Sequence, residues 1–498
     1  MNAPATPLPP ASARRDDFPG WLPAMLVKEL RQALRARGFV GLFLTFHLVA
    51  ILVFWWTIEL NTASGLRDTF NWLNGVFWVL LNVVLLLVMP SRGLGSLRME
   101  IDNKTLDLLV LTRLSAWRIV LGKWVALVAQ AALFLVAIAP YGVVRYFFGA
   151  VDLAADLIMA GWLLLGGATL AAVCLWVSGL PKLFRVILPV LFFLSFQSVG
   201  LSSFFSASLS GRGGLGRLPG PFSLQGVAGL FLLGLLTLIF LGLAVRRIAP
   251  PAENHARSAR LLGLILLAGS ALVSFGGYPG ADAVLGFGCT VVALIAAVEL
   301  SRDCLPMRVH GSTWGGRAWL RGFSRIMLPG WPSAVLFAGV ALVPLALILG
   351  LDPSRHSGAR SGLAVAWLAV LAWQALVFPA LLLSYLPPSS TMRAGGTGYF
   401  VVQGLFGTIS LMAATNSAGY LAGENFARTL DAICQILPVF SFWLGTNSVK
   451  TGFSPGNIIG QSVALGVLVG LIWRQSRIYW GTVARFERSG TGNPAGSP

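Results

Sequence analysis

Residues 122–144 read GKWVALVAQAALFLVAIAPYGVV. Beyond Lys123 the run holds no charged side chain. A helix of about 20 apolar residues, rising about 1.5 Å per residue, crosses a hydrocarbon core about 30 Å thick, so this stretch predicts a membrane-spanning helix. Moving outward, the same reading gives spans at 39–60, 72–90, 122–144, 156–178, 186–206, 222–245, 261–279, 283–300, 333–351, 362–386, 398–418 and 456–473. The predicted fold is all-α, a polytopic transmembrane helix bundle of about 12 spans divided about equally between two halves.

Composition agrees. Of the 498 residues, 56% are hydrophobic and 11% charged, against roughly a quarter charged in a soluble domain, which excludes a water-soluble protein. The 36 Lys and Arg outnumber the 18 Asp and Glu, for a formal net charge of +18. Such an excess can signal nucleic acid, but sparse cations between long apolar runs are the pattern of membrane topology, and nucleic acid is set aside as a partner. Cations are retained on the cytoplasmic side during insertion. With the N-terminus inside, the alternate loops that face the cytoplasm collect most of the basic residues, among them Arg92, Arg98, Lys104, Arg113, Arg118 and Lys123 between the second and third spans. Both termini are therefore expected in the cytoplasm of a multi-pass protein of the plasma (inner) membrane. The Pro/Ala-rich residues 1–17 read as a disordered tail, and no long apolar run starts before Gly38, so a cleaved signal peptide is not expected.

The chain is expected to divide into a six-span module over 18–247, a linker over 248–260, a second six-span module over 261–474 and a C-terminal tail over 475–498. Long basic interruptions fall at 91–121 and 301–332, and a Gly-rich loop at 206–220 is assigned to the outside. Segment 426–446 is ambiguous. Its uninterrupted apolar part, 432–444, is shorter than a span and contains Pro438, so it reads as a re-entrant or outer-face helix.

Motifs of soluble chemistry are scarce. Gly211, Gly213 and Gly216 have dinucleotide-loop spacing without a strand before them or an acid after them, and read as a flexible loop. No GxxxxGK[ST] phosphate loop and no HExxH occurs. Four scattered cysteines and four scattered histidines suggest neither a disulfide framework nor a metal site, so no catalytic, metal or cofactor residue is assigned and the chain is not read as an enzyme. Ion-coupled carriers need ionisable groups within the bundle; here His47 is the mid-span candidate, and it reads as a packing histidine. Gly466 and Gly470 form a GxxxG that permits close helix contact.

Two cytoplasmic segments are more informative. In 21–37, WLPAMLVKELRQALRAR, the residues Leu22, Met25, Leu26, Leu30, Ala33 and Leu34 recur at helical spacing, while Lys28, Arg31 and Arg35 form a separate basic stripe. Such a helix is expected to lie along the inner headgroups, apolar side down, with Trp21 as an interface anchor. In the loop after the second span, Leu106, Leu108, Leu109, Val110, Leu111 and Leu114 make a helix-length apolar patch, with Asn103 placed as one N-cap and Ser115 as the next. An apolar cytoplasmic helix must bury its face against the chain's own bundle or against a soluble partner.

Taken together, Lys28-Glu29-Leu30-Arg31, two spans, Glu100, Lys104-Thr105-Leu106-Asp107-Leu108-Leu109, Thr112, Leu114-Ser115 and Gly122-Lys123 resemble the ABC-2 family of ATP-binding-cassette transporter permeases. There the corresponding loop usually reads E-x-x-x-G-T-L-E-x-L-L-x-T-P-L-S; Lys104 stands where a glycine is usual and Arg113 where a proline is usual. The resemblance is strongest over 22–145 and reaches loosely to about 247; beyond 248 it is one of hydropathy. It implies an amphipathic elbow helix (21–37) and a coupling loop (91–121) that receives the stroke of a separate ATPase subunit, which would hold ATP and Mg²⁺. The expected contact residues are Glu100, Asp102, Lys104, Thr105, Asp107 and Arg113 as a polar rim, with Leu106 and Leu109 as apolar anchors. A permease subunit, with export as the implied direction, is the expected function. A homodimer or a second permease as partner, and an ion-coupled carrier or a non-transporting scaffold as function, are the alternatives.

Overall fold

In the computed structural model every described element is a helix, and no strand occurs among the described residues. The structure describes residues 24–63, 76–96, 115–147, 153–179, 223–249, 256–275, 325–351, 381–386 and 455–490, with isolated positions between 185 and 405. The helices are α1 (Ala24–Leu34), α2 (Arg37–Ala63), α3 (Val76–Gly95), α4 (Ala116–Phe147), α5 (Leu153–Val177), α6 (Leu224–Ile248), α7 (Ala256–Phe275), α8 (Trp331–Leu351) and α9 (Pro455–Gly490). Six of them, α2 to α7, are long and apolar enough to cross a membrane, and α8 adds a shorter apolar stretch, Trp331–Ala341. The chain is that of a multi-pass helical membrane protein. The expected span 186–206, most of 283–300, 362–386 and 398–418, and the outer-face helix at 432–444 lie outside the described residues.

The chain divides into two compact units, Met1–Gly179 with Leu183–Gly226, and Leu180–Lys182 with Val227–Pro498. Most of α6 therefore belongs with the second unit, one helix ahead of the linker expected at 248–260. That linker is shorter than the sequence suggests, because α7 starts at Ala256 and takes Arg257 and Arg260 onto a helix.

In the first unit α5 is the central helix and α2 the peripheral one: 61% of the α5 span is buried, against 22% for α2. On α2, Leu44, Leu48, Ile51, Leu52, Trp55 and Trp56 are exposed, as a lipid-facing surface requires. The opposite side carries Phe39, Phe46, Ala50 and Phe54 into a core shared with Trp78, Leu81 and Leu85 of α3, Phe134 and Ile138 of α4 and Met159, Leu163 and Leu170 of α5. His47 lies at the edge of this core. Its Nδ1 is 2.8 Å from the Phe43 carbonyl, and its ring stands 4.2 Å from that of Phe43 and 5.7 Å from that of Tyr141, which fits the packing role.

The α3 rod is irregular for a sequence reason. Pro90 has no amide proton, and its ring crowds the carbonyl of the preceding turn. The helix widens into a π segment over Val83–Val88, passes Pro90 and tightens to 3₁₀ over Arg92–Gly95. Helix α5 meets the widened turn at Gly167, where a Cβ would stand 2.6 Å from the Leu85 carbonyl oxygen. Only glycine allows the two backbones to approach so closely.

In the second unit Arg260 on α7 is fully buried. It donates to the Ile326 carbonyl and, at 2.7 Å, to Ser333 Oγ on α8, with its guanidinium 5.4 Å from the centre of the Phe337 ring. The last helix runs to Gly490, through much of the expected tail at 475–498. Ser476, Tyr479 and Val483 make one buried face there, and the Tyr479 hydroxyl donates to the Pro329 carbonyl at 3.2 Å.

Candidate functional site

The segment expected to be a coupling loop follows α3 after Ser96, and the described chain resumes at Ser115. Glu100, Asp102, Lys104, Thr105, Leu106, Asp107, Leu109 and Arg113 all lie outside the described residues, as does Asn103. Both stems of the loop are described. Arg118 N–H approaches Ser115 Oγ at 3.4 Å and its carbonyl at 2.9 Å, so Ser115 caps α4 as its sequence position suggests. Helix α4 thus begins six residues earlier than the apolar run, and Trp117 to Leu121 are its first turns rather than part of the loop.

Of the helix expected over 21–37, the described part is α1, Ala24–Leu34; it ends at Leu34, and Arg37 already belongs to α2. Trp21 and Leu22 lie outside the described residues. Met25 is on the helix; Leu26 and Leu34 are half-buried, Leu30 is buried, and Lys28, Arg31 and Arg35 are exposed. The basic stripe therefore faces outward as expected. The apolar side is not wholly free for lipid, because α1 packs along α4 and Leu34 touches the core of the unit.

At this contact the structure brings together residues that the sequence gives no reason to join. Lys123 Nζ donates to Glu29 Oε1 at 3.0 Å, and the two side chains are 6% and 18% exposed. A pair so shielded from water is a local electrostatic commitment, since either charge alone would stay buried without its counter-charge. Arg92, at the exit of α3, reaches the other end of α1. It donates to the Ala33 carbonyl at 3.3 Å and to Gln130 Oε1 on α4, and it sits 5.1 Å from the centre of the Phe39 ring. Gln130 is held in turn by its own donation to the Ala126 carbonyl at 3.0 Å.

Helix α5 backs the arrangement. Trp124 Nε1 donates to the Ala168 carbonyl at 2.8 Å, and a Cβ at Gly93 would lie 3.2 Å from Leu127 and 3.4 Å from Cys174. Both stems of the loop, the elbow helix and α5 thus converge within one packed, polar-lined joint. One signal in the sequence could have pointed to it: Lys123 and Gln130 are a heptad apart on one face of α4, and Glu29 is the lone acid in a basic helix.

Among the described residues no three His, Cys, Asp or Glu side chains converge as a metal site would need. The sequence holds a Gly-x-Ser-x-Gly spacing at Gly452-Phe453-Ser454-Pro455-Gly456. A nucleophile elbow of that spacing sits on a strand-to-helix turn; here Pro455 opens α9 and no strand occurs among the described residues, so the spacing carries no catalytic assignment. No described atom comes within 4 Å of a Cβ placed at Gly466 or Gly470. No protein-family model matches the chain, and no curated protein or solved structure is similar to it.

Proposed function

We propose that this chain is the membrane-spanning permease subunit of an ABC-2-type transporter, working as an exporter in the plasma membrane with both termini cytoplasmic. In this reading about 12 spans form the translocation pathway, and a separate ATPase subunit binds ATP and Mg²⁺ and drives the cycle.

The observation that supports it best is the joint. A loop that only links two spans needs no buried charge pair at its root. Here both stems are tied to an amphipathic entry helix through Glu29–Lys123 and Arg92. Motion of the loop would therefore reach α1, α3 and α4 together, which is what a stroke from outside the bilayer requires. The second support is energy supply. Uphill transport needs a driving reaction, and the sequence has neither a phosphate loop nor a chain of ionisable groups along its spans. Nucleotide hydrolysis in a partner would shift the bundle between inward-open and outward-open packings through differential contact with the loop.

The test is purification from membranes in mild detergent with ATP and Mg²⁺ present. A nucleotide-binding subunit should co-purify, its ATPase rate should depend on this chain, and Leu106→Ala with Leu109→Ala should weaken binding or coupling. Transport in vesicles without ATP, following an ion gradient, would make the chain a secondary carrier. Stable partners with no ATPase stimulation would make it a scaffold.

A further inference from the structure

We infer that α1, the Arg92–Ser96 exit of α3 and the first turns of α4 open and close as one mechanical unit, latched by the Glu29–Lys123 pair. Three observations carry this. First, the pair joins residues 94 apart in sequence and is nearly excluded from water. Separating it must hydrate both charged groups, so a partly opened joint is unfavourable and the pair acts as a latch. Second, Arg92 spans the joint from the other stem, bonding the C-terminal carbonyl of Ala33 and the side chain of Gln130 together. Arg92 thereby adds a side-chain donor to the Ala33 carbonyl, which also accepts from the Ala36 N–H at 3.3 Å, and ties the end of α1 to α3 and α4. Third, the exit of α3 packs closely on its neighbours, since even a single Cβ added at Gly93 would stand 3.2 Å from the Leu127 side chain on α4 and 3.4 Å from Cys174 on α5.

Glu29, Lys123 and Arg92 are positioning residues: they hold the roots of the 97–114 segment and touch no cargo. Their use as a transmission element rests on the permease reading above, whereas the latch itself does not. The exposed Arg477 on α9 takes no part in the latch and serves as the control position.

The experiment is hydrogen–deuterium exchange on the full chain in lipid nanodiscs with no ATPase added. It compares the wild type with Glu29→Gln, with Lys123→Gln, with the charge swap Glu29→Lys plus Lys123→Glu, and with Arg477→Gln as a control. Either single change should speed exchange of 24–34, 92–96 and 116–124 together by at least about tenfold, as expected when one member of a buried pair is removed. The α5 amides of 154–162, away from the Trp124–Ala168 and Gly93–Cys174 contacts, should not change, the swap should restore slow exchange in all three segments, and Arg477→Gln should do nothing. Loosening confined to the segment that bears the substitution, equal loosening of α5, or a swap no better than the single changes would overturn the latch. Because the chain is measured alone, such a failure leaves the permease reading to its own partner test, and absence of an ATPase partner leaves the latch standing.

Discussion

Two arginines, half-buried Arg92 in the first unit and buried Arg260 in the second, do similar physical work. Arg92 supplies a donor to Ala33 O and lies over Phe39; Arg260 supplies donors to Ile326 O and Ser333 Oγ and lies over Phe337. Arg92 divides its bonds between its two terminal nitrogens, whereas Arg260 places Nη1 on both partners with its guanidinium over the aromatic ring; in both cases the arginine holds a carbonyl near the end of a short segment that feeds a spanning helix. Arg260→Lys, which gives up the guanidinium plane over Phe337 and the reach of Nη1, should destabilise the protein by about 1–3 kcal/mol, read as a lower denaturation midpoint in detergent; an unchanged midpoint would show that the guanidinium is not needed. The Glu29–Lys123 pair gives a sharper asymmetry. Lys123→Met alone should cost about 3 kcal/mol because it strands a shielded carboxylate, whereas Lys123→Met with Glu29→Leu should cost less than the single change. Thermal unfolding of the two variants decides it, and a double variant weaker than the single one would contradict the account. Beyond the lone acid Glu29 and the heptad spacing of Lys123 and Gln130, little of this is legible along the chain. Arg92, Lys123 and Arg260 read as ordinary cytoplasmic charges at the mouths of spans, and a backbone carbonyl partner leaves no trace in residue identity.

Elements were legible wherever apolar length defines them. Helices α2, α5, α6 and α8 coincide closely with the runs that predict them. Ends set by polar or amphipathic residues were not. Helix α4 gains its first turns from Ser115 capping, α7 starts inside the presumed linker, and α9 continues past Arg474 on a face made by Ser476, Tyr479 and Val483. The π segment of α3 has a visible cause in Pro90, but its meeting with Gly167 depends on how α5 packs. That contact separates two otherwise similar substitutions on α5. Gly167→Ala pushes a methyl group against the Leu85 carbonyl and should cost about 1–3 kcal/mol. Gly161→Ala, which meets nothing within 4 Å, should be neutral or stabilising by up to about 1 kcal/mol. Equal denaturation midpoints for the two variants would mean that α3 and α5 do not approach as described.

At the scale of the whole molecule the chain is a multi-pass helical membrane protein, and its topology was read from charge asymmetry rather than from packing. That reading has its own check. A cysteine placed at Thr105 or Ser489 should react with an impermeant maleimide only from the cytoplasmic side, and one placed at Ser210 only from the outside; the reverse pattern would invert the bundle. The candidate site was half legible. The elbow helix shows in the 3.6-residue periodicity of 24–34, with its basic stripe exposed as expected, whereas the joint beside it depends on contacts across 94 and 59 residues that no local pattern encodes. The apolar patch on the loop is the point on which function turns. A photoreactive residue at Leu106 or Leu109, irradiated in native membranes, asks directly what covers that patch. A crosslink to a nucleotide-binding ATPase subunit is the predicted result, and crosslinks confined to this chain's own helices would contradict the permease account.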